Sequence, residues 1–234
     1  LLKERPREWP AWNMDWRNRE KPQIGYLDGV LSEAYLSEEG PVRVAATASW
    51  QGVDGSRASR TVRLYSGGAG GRIEILDEVD WKSQGRSLKA VFPLSAHNRE
   101  ATYNWEVGTV RRGSNTAKQY EVPSHQWIDL SDAAGDYGVS LLTGGKYGSD
   151  MPDDSTLRLT LLYTPEVYGL FQHQRWQDWG RHEILCGLAG HGGDHPADWQ
   201  AYRLDQPLRG YVASSHSGSL GREFSWVRTE HPRV

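Results

Sequence analysis

The 234-residue chain carries 27 basic and 30 acidic side chains, a net charge of −3, with the two signs interspersed rather than blocked. That balance gives no electrostatic case for a nucleic-acid or anionic-membrane partner, and no apolar run reaches the roughly 18 to 20 residues that cross a bilayer. The lone cysteine, Cys186, excludes an internal disulfide and a thiolate metal cluster and fits a reducing, cytoplasmic compartment.

This length suits one large β domain with a substantial core. The chain opens on Leu1-Leu2-Lys3-Glu4 rather than on methionine, so it is expected to be a piece of a longer polypeptide. Residues 1–38 read as an extended arm, because Pro6, Pro10 and Pro22 restrict helix on either side of Trp12 and Trp16. Residues 41–50 and 59–65 alternate polar and apolar side chains around a Gln51–Ser56 turn and predict a hairpin. Further strands are expected over 72–81, 87–94, 102–110, 158–163, 183–188 and 210–214, whereas residues 128–134 offer one helical turn at most. Glycine, proline, Asn and Asp clusters punctuate these segments in the manner of a sandwich rather than of βαβ units. The pattern divides into the arm, main sandwich strands over 39–163, and a long connection with closing strands over 164–234. Residues 163–179 lack periodicity and carry Tyr168, Leu170, Phe171 and Trp176, an apolar stretch expected to pack against a neighbouring domain.

Eleven tryptophans and eleven tyrosines stand against three phenylalanines. Flat aromatic faces stack on sugar rings while the indole N–H and phenol O–H bond to hydroxyls, although most of these tryptophans, Trp81 and Trp127 included, suit packing between sheets. The most informative stretch is Leu142-Thr143-Gly144-Gly145-Lys146-Tyr147-Gly148-Ser149-Asp150, followed by the strand-like segment from Thr156. Its glycines permit a turn that holds Lys146 and Tyr147 at fixed positions above a sheet, as a sugar contact requires. The alternative is an ordinary hairpin with a solvated lysine.

No catalytic constellation emerges beside it. His191-Gly192-Gly193-Asp194-His195 has metal-binding residue types, but two glycines and Pro196 oppose the helix that would aim both histidines at one ion. Glu78 and Asp80 share one strand face and Asp77 the other, yet neighbours on one strand do not by themselves give the carboxylate pair of a glycosidase, so solvated or turn-capping roles are expected. Asp153-Asp154 after Pro152 marks a turn, and Ser214-Ser215-His216-Ser217 has no acid partner in view.

Taken in order, several blocks resemble the C-terminal β domain of the glycoside hydrolase family 38 α-mannosidases. They are Trp9-Pro10-Ala11-Trp12-Asn13-Met14-Asp15, Glu39-Gly40-Pro41-Val42-Arg43, Val79-Asp80-Trp81 with Leu88-Lys89-Ala90-Val91-Phe92-Pro93, and Val107-Gly108-Thr109-Val110-Arg111-Arg112. Tyr120-Glu121-Val122-Pro123-Ser124-His125-Gln126-Trp127, the Lys146-Tyr147 turn, Gly180-Arg181-His182-Glu183 and Leu204-Asp205-Gln206-Pro207-Leu208 follow. The turn is similar to that of the cytosolic and bacterial branch, except that Thr143-Gly144 departs from the Asn-Asp found just before it there. The resemblance implies an all-β, large antiparallel supersandwich of the galactose-mutarotase-like kind with few or no helices. It further implies an accessory domain of a retaining α-mannosidase, with an α-mannoside oligosaccharide as substrate and the N-terminal catalytic domain of the same polypeptide as partner. Lys146 and Tyr147 would be minor substrate contacts. The nucleophile and the zinc or other divalent metal would belong to the absent domain, so no catalytic residue, cofactor or metal is assigned to this chain. A free-standing carbohydrate-binding module and a self-sufficient catalytic sandwich, such as a mutarotase or polysaccharide lyase, are the alternatives.

Overall fold

The computed structural model describes residues 2–4, 16, 25–26, 29–67, 71–164, 166–167, 169–193, 197–221 and 223–228. Within them the N-terminal arm supplies short strands, β1 (Leu2–Glu4), β2 (Gly25–Tyr26), β3 (Gly29–Leu31) and β4 (Tyr35–Glu39). Its Trp9–Asp15 block lies outside the described residues. The alternating segments form the expected hairpin, β5 (Arg43–Gly52) and β6 (Arg57–Tyr65), with Arg43 opposite Tyr65. Then come β7 (Ile73–Trp81) and β8 (Arg86–Pro93). The single strand expected over 102–110 is instead a hairpin of β9 (Glu100–Trp105) and β10 (Gly108–Gly113), because the chain reverses at Glu106 and Val107.

After β11 (Val122–Pro123), the helical turn expected at 128–134 is a strand, β12 (Trp127–Ser131). Its period is 2 rather than 3.6: Ile128 and Leu130 enter the main core, while Trp127 joins a second cluster on the opposite face. β13 (Tyr137–Leu142), β14 (Gly148–Asp150) and β15 (Thr156–Thr164) follow, then a 3-10 helix (Gly169–Gln174) and β16 (Gly180–Gly192). A nine-residue helix that the sequence reading did not anticipate, α1 (Ala197–Asp205), comes next. The strand expected at 210–214 is absent; these residues are irregular and exposed.

Two antiparallel sheets make the sandwich. The larger runs β10-β9-β12-β13-β16-β7-β6-β5-β3, with β4 also on β5, and the smaller runs β11-β14-β15-β8-β1-β2. Inward residues of both sheets form one core, in which Trp81, Tyr103, Ile128 and Ile184 of the larger meet Leu88, Phe92, Leu157 and Leu159 of the smaller. A register shift between Thr160 and Leu162 lets two consecutive residues, Leu161 and Leu162, both reach that core. On the outer face of the larger sheet α1 sets Ala197, Ala201 and Leu204 against Trp127, Leu142 and Ala189. The indole of Trp127 donates to Asp198 at 2.7 Å, which fixes the helix start.

Lys89, between the core residues Leu88 and Ala90 on β8, points the other way and is nonetheless 1% exposed. Its ammonium donates to Glu121 at 2.6 Å, Asp150 at 2.7 Å and Thr160 at 2.7 Å, so all three N–H donors are satisfied. Arg158 Nε donates to the second oxygen of Asp150 at 2.7 Å.

Candidate functional site

The turn carrying Lys146 and Tyr147 is not a hairpin. It leaves β13 in the larger sheet and enters β14 in the smaller one, so it crosses from one layer of the sandwich to the other. The Lys146 N–H closes it on the Thr143 carbonyl at 2.9 Å, with Gly144 and Gly145 at φ +45° and +84°. Two successive positive φ values define a mirror-image turn that suits glycine at both positions. Gly144 has a second reason to be glycine, since a Cβ there would overlap the Leu185 carbonyl of β16. With Thr143-Gly144 in place the turn closes through its own backbone hydrogen bond. Thr143 is fully buried, and its N–H and hydroxyl donate to the Gln126 and His125 carbonyls at 2.9 and 3.1 Å.

Tyr147 is 58% exposed, with its ring 6.1 Å from that of His125, and its carbonyl accepts the Ser124 N–H at 2.9 Å. Lys146 is half-buried. Burial pushes its ammonium below the ordinary lysine range, opposed by the Asp178 carboxylate. Asp178 is the one non-glycine residue at positive φ (59°) among the described residues, a conformation kept only where its surroundings fix it. Its carboxylate accepts the Tyr163 N–H at 3.0 Å and its carbonyl accepts His182 Nε2 at 2.6 Å.

The connection ahead of Asp178 is tied to the core by a relay. The fully buried Trp81 indole donates to Thr164 at 2.8 Å, and the Thr164 hydroxyl donates to the Gln177 carbonyl at 2.5 Å. Trp179 donates to the Ser83 carbonyl at 3.0 Å and packs edge-on against Trp176 at 4.7 Å, over which Arg175 stacks. Trp176 remains 47% exposed. Tyr168 and the side chains of Leu170 and Phe171 lie outside the described residues.

Sequence reasoning missed Asp178 and gave His125 no role. His125 lies in the Tyr120–Trp127 stretch, but its approach to Tyr147 depends on β11 and β14 pairing across 25 or more residues, as in Val122 with Ser149. The Lys146 and Asp178 relation, between separate loops, left no local signal.

The other candidates resolve into structural roles. Asp77 is neither solvated nor a cap: it is 1% exposed and pairs with Arg60 at 2.7 and 2.8 Å, because β7 alternation turns it inward with Ile75 and Val79 while β6 sets Arg60 opposite. Glu78 is exposed, and Asp80 pairs with Lys82 at 3.4 Å. Asp153 accepts the Ser155 N–H at 3.0 Å in the expected turn. Ser214 to Ser217 sit in the exposed C-terminal segment. His191 lies on β16 with both ring nitrogens engaged, Nε2 with Asp129 at 2.7 Å and Nδ1 with the Gly192 carbonyl at 2.6 Å, and His195 is outside the described residues. Among the described residues no three His, Cys, Asp or Glu side chains converge as a ligand set, so they do not fit a divalent metal.

The arrangement of sheets has known counterparts. Two solved structures, a glycosyl hydrolase family 38 protein and an alpha-mannosidase, both from Enterococcus faecalis, superpose with a TM-score of 0.67 each over 80% of this chain, at 16% and 15% identity. That likeness shows the fold. The family profile described as "Glycosyl hydrolases family 38 C-terminal domain" matches residues 1–167. The chain belongs to this family. Alpha-mannosidase 2C1 of Mus musculus is 33% identical over 89% of the chain, and that of Homo sapiens 32% over 92%. As a family 38 C-terminal domain it spans about a fifth of the length of these relatives, 20% of each.

Proposed function

We propose that this family 38 C-terminal domain is the accessory β domain of a retaining α-mannosidase, walling the sugar pocket formed with an N-terminal catalytic domain of the same polypeptide. The observation that supports this most is the turn between the sheets. It holds Tyr147 exposed and Lys146 half-buried at one end of the sandwich, with its backbone fixed by Gly144 under the Leu185 carbonyl. In this reading the Lys146 ammonium and Tyr147 phenol donate to hydroxyls of an α-mannoside. The Asp178 carboxylate opposes the lowering that burial imposes on this ammonium. Nucleophile and metal chemistry fall to the catalytic domain, and no step of either is assigned to these residues. Among the described residues no helix is long and apolar enough to cross a membrane. The alpha-mannosidase 2C1 relatives, together with a lone reduced thiol at Cys186, support a cytoplasmic location.

The test is made in the intact polypeptide. Each contact to a neutral hydroxyl contributes about 1–3 kcal/mol once the desolvated partner is counted, so Lys146→Met and Tyr147→Phe should each lower kcat/KM roughly ten- to a hundredfold. Metal affinity should stay unchanged. Unaltered kinetics in both folded variants would leave the turn without a role in substrate binding.

A further inference from the structure

A concave surface lies at the edge of the larger sheet. It is a cleft of about 340 Å³ lined by Trp105, Val107, Gly108, Thr109, Val110 and Arg112. It opens along β10, the edge strand of the larger sheet, close to β11, the edge strand of the smaller. The Arg112 guanidinium bridges the two edges: it stands 4.9 Å from the Tyr103 ring and 5.6 Å from the Trp105 ring, and donates to the Pro123 carbonyl at 2.7 Å.

The same strands lead to the Lys146–Tyr147 turn. Pro123 pairs with Gly148, the residue after Tyr147, and the Ser124 N–H bonds the Tyr147 carbonyl. His125, beside the Tyr147 ring, donates its N–H to the carbonyl of Asn104 at 3.0 Å, next to Trp105. The cleft and the turn are thus neighbouring parts of one end of the sandwich.

The chemistry of the lining selects among ligand classes. Trp105 is 39% exposed and keeps part of its aromatic surface open. Arg112 offers a forked set of N–H donors and Thr109 a hydroxyl, and among the described residues β10 is an edge strand paired with β9. Among the described lining residues there is no carboxylate, and Arg112 alone does not make an anion site. An aromatic surface bordered by neutral and cationic donors suits a ring with apolar C–H faces and hydroxyls at its rim.

We propose that the Trp105–Arg112 cleft is an additional subsite that binds a neutral hexose of an oligosaccharide whose reacting end lies at Lys146 and Tyr147. The inference rests on the accessory-domain reading above. It makes Trp105 the stacking surface and Arg112 a hydroxyl donor held in place by Pro123. It also makes this domain a determinant of chain-length preference.

The test compares two substrates of the intact polypeptide: α-mannosyl fluoride, which has no group beyond the reacting sugar, and an α-linked mannotriose. Trp105→Ala removes the stacking surface. Gly108→Leu fills the cleft from an exposed position whose Cβ meets nothing within 4 Å, so it leaves the fold in place should the first variant fail to fold. Both variants should lower kcat/KM on mannotriose about tenfold, mostly through KM, and leave α-mannosyl fluoride within twofold. Lys146→Met should lower both substrates alike. If the folded cleft variants treat the two substrates equally, or change neither, the subsite does not exist. If Lys146→Met alone is silent, Lys146 has no role in substrate binding, while a mannotriose-selective loss in the cleft variants would still establish the subsite.

Discussion

Gly144 packs directly beneath the carbonyl of Leu185, so the turn between the sheets sits against the backbone of β16. Gly145, its neighbour, has a similarly positive φ but open space around it. The pair separates two costs. Gly145→Ala should destabilise by about 1–2 kcal/mol, the left-handed backbone penalty alone. Gly144→Ala adds a backbone collision and should cost on the order of 3 kcal/mol or more. Urea unfolding of both variants measures the difference, and equal losses would mean that β16 gives way.

Lys89 supplies a sharper stability test. Its ammonium is enclosed by Glu121, Asp150 and Thr160, and its removal leaves the fully buried Asp150 with Arg158 and Asn115 but without the ammonium at Oδ2. Lys89→Met should therefore cost about 3–5 kcal/mol, as for a broken buried pair. The double variant Lys89→Met/Asp150→Asn should recover part of that loss, and a double-mutant cycle on denaturation midpoints reads the coupling.

Much of this fold is legible in the residues, for reasons that differ along the chain. Strand β5 is legible from the alternation of buried Ala45 and Thr47 with the exposed Val44 and Ala46, whereas β8 buries Ser87 through Ala90 in succession, Lys89 among them. β12 was misread since Trp127-Ile128-Asp129-Leu130 is buried on both faces, which removes the alternation. Helix α1 was readable in principle: Ala197, Gln200, Ala201 and Leu204 fall at i, i+3, i+4 and i+7, after Pro196 and with Asp198 in the first turn. Asp77 was misassigned because its partner Arg60 belongs to another strand, and a charge inside a sandwich is identified only by what lies opposite. The Lys146–Tyr147 turn was found from its glycines, whereas Asp178 and the Trp105 cleft arise from long-range pairing.

Cys186 gives a pH-dependent expectation. Burial first, and then the Asp77 carboxylate, pushes its thiol up to about 12 from the ordinary 9.0. The folded state thus holds the thiol proton more tightly than the unfolded state. The resulting stability is fully present below pH 9 and is lost as pH rises from about 9 toward 12. Between pH 8 and 10.5 the wild type should lose more stability than Cys186→Ala, and at pH 8 the native thiol should react with a disulfide reagent only as fast as the protein unfolds. Rapid labelling of the folded protein would contradict that enclosure.

The residues after α1 set the limit of the cooperative unit. Every described residue from 206 to 228 is exposed, with Trp226 87% and Tyr211 85% accessible, and the last backbone bond there is from the Gln206 N–H to the Tyr202 carbonyl. Leu204 by contrast is buried in the cluster with Trp127 and Leu142. Chymotrypsin should therefore cut first after Tyr211, Phe224 or Trp226 and leave the body intact, since cleavage follows local opening. A chain ended after Gln206 should keep its stability within about 0.5 kcal/mol, as expected for removal of exposed residues. Ending it after Gly193 also removes α1, uncovers Trp127, Leu142 and Ala189, and should cost on the order of 3 kcal/mol. Mass spectrometry of the first fragments and thermal melts of the two truncations decide the matter: an early cut inside β5 to β16, or equal melting of both truncations, would move the boundary of the folded domain away from α1.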